Sequence, residues 1–102
     1  MYQTIREYKT SPQSVGEILT KDEKSFIPFI KDAPGFREYT CIDAGNGTVT
    51  STSTFSNQAD GEKFNTLAVN WVHENLSSQL PTPPRVSSGE VRNHVTGHVL
   101  AS

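Results

Sequence analysis

Residues 2–9, YQTIREYK, alternate in character at the period of a strand: Tyr2, Thr4, Arg6 and Tyr8 share one face, and Gln3, Ile5 and Glu7 the other. The period then changes. Val15, Ile18, Leu19, Asp22, Phe26, Phe29 and Ile30 fall on one helical stripe, with Asp22 as its polar break. Ser11 suits the N-cap, and Pro12 at the first helical position loses nothing, because its missing N–H would have no partner there. Pro28 falls late in the stripe and predicts a last turn that is kinked or already over. The stretch APGF, 33–36, is a stop: Pro34 restricts Ala33, and Gly35 permits a tight turn.

A second strand follows over FREYTCID, 36–43, and AGNG, 44–47, is the strongest turn signal in the chain. Asn46-Gly47 tolerates the positive φ of a hairpin, so TVTSTSTFS, 48–56, becomes the antiparallel partner. Thr and Ser dominate both of its faces, and only Val49 and Phe55 are large and apolar. One face of that strand is therefore expected to border water, a polar cavity or a hydrated contact. The second helix spans 57–76, with Asn57 as cap and Asp60 completing a capping box. Gly61 weakens its first turn by about 1 kcal/mol relative to Ala. Phe64, Leu67, Ala68, Trp71, Val72 and Asn75 occupy one sector. Asn70 lies ~100° from Trp71, and His73 ~200° away on the outer face. A stiff, proline-rich connection, 77–85, leads to a last strand over 86–95, in which Gly89 marks a bulge or a close backbone approach.

The order β-α-β-β-α-β places two helices on one face of a four-stranded antiparallel sheet, the ferredoxin-like α+β sandwich. Residues 1–96 are expected to form this single domain, and 97–102, including His98, a tail. The other sheet face has no helix to cover it. An apolar face left open predicts a homodimer closed sheet to sheet.

Composition trims the range of functions. The chain has 102 residues, a net charge of −2 and no basic stripe, which argues against nucleic acid as a partner. No apolar run approaches the ~20 residues of a membrane span, and MYQTIREYKT lacks the apolar stretch of a secretory signal, so a cytoplasmic protein is expected. The lone cysteine, Cys41, cannot form an internal disulfide and reads as a small buried strand side chain. No Cys/His spacing suits a metal, no glycine-rich phosphate loop follows a strand, and no cofactor is expected.

APGF before the second strand, STSTF in the third, NWVHENL in the second helix and PPRVSSGEV into the fourth together resemble the dimeric α/β-barrel superfamily, in particular its small antibiotic biosynthesis monooxygenase-like proteins. The resemblance covers nearly the whole chain and implies the fold and a homodimer. It also implies a site between helices and sheet for a planar, aromatic or polyketide-like compound, or for haem, with oxidation by molecular oxygen in some members without metal or flavin. Haem-degrading relatives use an Asn on the first strand, a Trp on the second helix and a His further along that helix. Strand 2–9 has no Asn, and His73 is too near Trp71 and on the wrong face. Haem degradation is therefore not the expectation, and Trp71 with Asn75 is only a partial echo of the cofactor-free enzymes.

The candidate pocket residues are Trp71, Asn75, Phe64, Tyr39 and His94. Trp71 is either a core anchor or a platform for a ligand, and its indole N–H needs a partner if buried. Asn75 on the inner face is either a pocket amide or a helix-end cap. His94 is either a general base or a solvated strand residue. Tyr8 and Tyr39 offer hydroxyl donors or fill a dimer seam. Arg6 and Arg92, placed on outer strands or edges, either steer an anionic group or form surface ion pairs, and the ion pair is the expectation. Three functions compete: a cofactor-independent oxygenase acting on a small aromatic or enolic compound, a non-catalytic ligand-binding dimer, and a structural dimer filled by Trp71 and Phe64. The first two need a cavity on the order of 300 Å3 between the second helix and the sheet, and a smaller one argues for the third.

Overall fold

A computed structural model describes residues 1–97. The expectations for His98 and the rest of the tail, 98–102, lie outside the described residues. Strand β1 (Tyr2–Lys9) leads into one helical run made of a 3-10 turn (Pro12–Ser14), helix α1 (Val15–Lys21), a π turn (Asp22–Phe26) and helix α2 (Ile27–Lys31). Strands β2 (Phe36–Gly45) and β3 (Thr48–Phe55), helix α3 (Gln58–Leu76) and strand β4 (Arg85–Glu90) complete the chain. The sheet order is β2-β3-β1-β4, every pairing antiparallel, with the helices packed on one face. This is the ferredoxin-like α+β sandwich, and β1 is a central strand in it.

Local chemistry accounts for the elements. Asn46 (φ 53°) and Gly47 (φ 77°) both take positive φ, the tight turn that joins β2 to β3. Asn57 caps α3 by accepting the Asp60 amide at 2.9 Å, and its own amide donates to Asp60 Oδ2 at 3.1 Å. Gly61 looks like a flaw in α3 until its neighbour is seen. A Cβ there would stand 2.5 Å from the Tyr2 ring, so the missing side chain lets the helix lie down on β1. Pro28 does not end the first helical run. It sits at the start of α2, just after the wide π turn, where the ladder of hydrogen bonds is already being reset.

Two apolar clusters hold the helices to the sheet. Phe26, Ile30, Phe55, Phe64 and Ala68 form one, and Tyr8, Ile18, Leu76 and Leu80 the other, with Trp71 packed against both. The register shift between Phe36 and Glu38 is a bulge that brings Phe36 and Tyr39, three apart in sequence, to the same side against the first cluster. The open face differs from the apolar one expected. Cross-strand partners place Thr48, Thr50, Thr52 and Thr54 of β3 in one row there, beside Thr40 and Ile42 of β2 and Ile5 of β1. The last strand also ends sooner than expected, at Glu90, and is exposed along its whole length.

Candidate active site

Under the helices the sheet encloses a cavity with a free volume of about 40 Å3, walled by Arg6, Asp22, Tyr39, Cys41, Ser51 and Trp71 among apolar side chains. That is room for a water or two, well short of the volume expected from the sequence. Phe26 is the reason. Its ring centroid lies 5.0 Å from that of Trp71, 5.3 Å from Tyr39 and 5.9 Å from Phe64, and it occupies the middle of the space.

One wall is a polar cluster. Asp22 opens the π turn and accepts a 2.5 Å hydrogen bond at Oδ1 from the Tyr39 hydroxyl. Burial pushes the Asp22 carboxyl above its usual range, and the hydrogen bonds from Tyr39 and Cys41 only partly oppose that. Tyr39 is pushed up strongly by burial and by its bond to a carboxylate, so its hydroxyl stays a donor at any physiological pH. Burial, then the Asp22 charge, raises the Cys41 thiol to about 11. Cys41 is half-buried rather than buried, and it is a protonated thiol, not a nucleophile.

The other wall is cationic. Arg6 is 4% exposed, on the central strand, and its guanidinium donates to Asn65 Oδ1 of α3 at 2.7 Å. Asn65 in turn donates to Thr4 Oγ1 at 2.9 Å, and the Ser88 hydroxyl of β4 donates to the same oxygen at 3.0 Å. Among the described residues Arg6 forms no ion pair, which overturns its reading as a surface charge. Burial lowers its pKa, and the neighbouring Tyr8 and Tyr39 work in the opposite direction.

The structure places Trp71 and Tyr39 on the wall of this space and Phe64 in the adjoining core cluster, behind Phe26. It leaves out Asn75 and His94. Asn75 is exposed and donates to the Trp71 carbonyl at 2.9 Å, one turn back on its own helix. The buried face of α3 runs along Phe64, Ala68, Val72 and Leu76, an i+4 row that drifts ~40° per step around the helix. Asn75 and Leu67, sound on a straight wheel, are left outside by that drift. His94 lies beyond β4, exposed, 4.0 Å from Glu38 Oε1. His73 is exposed, as expected. Sequence reasoning passed over Asp22, and it set Arg6 aside as a surface ion pair in preference to an anion-steering group. The signal for Asp22 was the polar break in an otherwise apolar stripe, and for Arg6 its place on one face with two tyrosines. Among the described residues no group of three His, Cys, Asp or Glu side chains is placed to hold a metal ion.

No protein-family model matches the sequence, and no curated protein matches it. Solved structures do match the fold. A monooxygenase from the ActVA-Orf6 gene of Streptomyces coelicolor, solved with Nanaomycin D, is 16% identical with a TM-score of 0.77, over 95% of this chain and 92% of that one. A protein of unknown function from Nitrosomonas europaea is 14% identical with a TM-score of 0.78, over 95% and 94%. A heme-degrading protein from Mycobacterium tuberculosis, solved with two hemes in its active site, is 11% identical with a TM-score of 0.73, over 94% and 100%.

Proposed function

Starting from a chain with the fold of the antibiotic biosynthesis monooxygenase-like proteins of the dimeric α/β-barrel superfamily, we propose that this protein takes a small planar phenol or enol between helices and sheet and oxidises it with molecular oxygen, without a cofactor. The observation that carries the reading is the Asp22–Tyr39 pair on the cavity wall, a carboxylate whose proton affinity burial has raised, beside aromatic faces. Asp22 removes a proton from an acidic CH2 of the substrate. The carbanion passes electrons to oxygen, a carbon–oxygen bond forms, and the peroxide takes the proton. A second deprotonation expels water and leaves a carbonyl, so that CH2 and O2 become C=O and H2O. Phe26 and Trp71 flank the ring, and Tyr39 holds the carboxylate in place.

The cavity must widen to admit a ring. The wall that yields in this proposal is the π turn, which carries both Asp22 and Phe26 between two short helices. Oxygen uptake with a panel of anthrones and quinols tests the reading. Uptake is expected, rising with pH through a midpoint above the usual carboxylate range, because the base works only when ionised. Asp22→Asn should abolish it with the fold intact by circular dichroism. The small free volume favours a second reading, a structural dimer with a filled interior. Absence of both uptake and ligand binding would establish that one.

The proposal includes a homodimer through the open sheet face, where Ile5 and Ile42 are 42% and 49% exposed. Light scattering at micromolar concentration should give twice the chain mass, and Ile5→Lys with Ile42→Lys should give the single chain. A single chain for the unaltered protein removes the dimer.

A further inference from the structure

We infer that the occupant of this cavity is an anion, a planar aromatic molecule bearing a carboxylate or an enolate oxygen that Arg6 binds. The inference rests on the cavity being a ligand site, but not on any oxidation. Charged side chains are almost never buried without a counter-charge, because desolvation costs more than neutral hydrogen bonds return. Arg6 breaks that rule. It is 4% exposed and on the cavity wall, and its side-chain partner is an amide oxygen, Asn65 Oδ1 at 2.7 Å. Asp22, the carboxylate of the same cavity, is engaged by Tyr39 on another strand and makes no ion pair with Arg6.

The network behind Arg6 is built to aim it. Asn65 is a two-sided group, accepting from Arg6 and donating to Thr4 Oγ1, which also accepts from Ser88. That chain ties a central strand, the long helix and the edge strand to one guanidinium. A structural arginine needs no such aiming when the tyrosines beside it could be met by any apolar side chain of similar volume. A guanidinium carries five donors in a planar fork and suits an oxyanion, which neither Tyr8 nor Tyr39 supplies, since both hydroxyls are held protonated by burial. Phe26, Trp71 and Val49 give the wall an apolar stretch that suits a flat ring once the π turn has yielded.

Isothermal titration with benzoate and with the neutral, isosteric benzamide separates charge from shape. Benzoate should bind at least roughly tenfold tighter than benzamide, the usual margin of a charge-assisted over a neutral hydrogen bond. Arg6→Gln should erase that margin, and Arg6→Lys should keep part of it. Should Arg6→Gln fail to fold, Asn65→Ala, which frees the guanidinium from its guide, should shrink the margin while leaving benzamide unchanged. 4-Nitrophenolate against benzoate distinguishes an enolate-type oxygen from a carboxylate. Equal affinities for benzoate and benzamide, a benzoate preference that survives Arg6→Gln, or no binding of either would overturn the inference. Benzoate binding through Arg6 with no oxygen uptake on any substrate would sink the oxygenase and leave the anion site standing.

Discussion

The two faces of the sheet are made by alternate residues of the same strands, and they solve opposite problems. Under the helices β1 sets Tyr2, Thr4, Arg6 and Tyr8, all 9% exposed or less, and β3 answers with Val49, Ser51, Ser53 and Phe55. On the other side the same strands set Gln3, Ile5, Glu7 and Lys9 against the threonine row. Polarity therefore does not separate the faces, since the covered one holds an arginine and several hydroxyls. What separates them is partnering. On the covered face Arg6, Asn65, Thr4 and Ser88 are tied into one fixed chain, and Ser53 Oγ stands outside it without a partner. Open-face hydroxyls pair sideways with long side chains, Lys9 with Thr48 at 3.0 Å and Gln3 with Thr54 at 3.2 Å. Function on the covered face can then depend on fixed geometry, which the open face does not provide.

The contrast should break first at Phe26. Phe26→Ala removes the ring around which Tyr39, Phe64 and Trp71 are arranged and should cost about 3–5 kcal/mol in urea unfolding. The second test is chemical. A thiol raised from 9.0 to about 11 should alkylate with iodoacetamide near pH 8 at a rate ~100-fold below that of the unfolded chain, since only the thiolate reacts. Labelling at the unfolded rate would mean that Cys41 lies outside the polar cluster. Ser53 sharpens the partnering argument. Its Oγ is buried without a hydrogen-bond partner, so Ser53→Ala should leave stability unchanged or raise it by up to ~1 kcal/mol in the same urea assay. Thr52→Ala on the open face should stay within about 0.5 kcal/mol. A loss there as large as that at Phe26 would erase the distinction between the faces.

The architecture was legible because it rests on short-range signals. Strand alternation in 2–9, the Asn46-Gly47 turn and the Asn57 cap each act over a few residues, and all three stand as read. The site was less legible because it depends on how elements lie across one another. Asn75 shares a sector with Trp71 on an ideal helix, yet the crossing of α3 over the sheet turns its contact line toward Leu76. Arg6 looked like an edge charge because strand order, unlike strand existence, is a long-range property. With β1 between β3 and β4, the same residue becomes interior. His94 was read into a strand that stops at Glu90, since nothing local to VRNHV reveals where its pairing partner, β1, begins.

The row of threonines on β3 has a bearing on how the molecule comes into being. A subunit whose bare side is greasy must find its copy while still being made, or clump. Here that side carries hydroxyls along β3, buried at Thr48 and Thr54 and half-buried at Thr50 and Thr52, between the exposed Ile5 and Ile42. A chain with such a face can fold before it meets a copy, so the pairing proposed above would follow folding rather than be a condition for it.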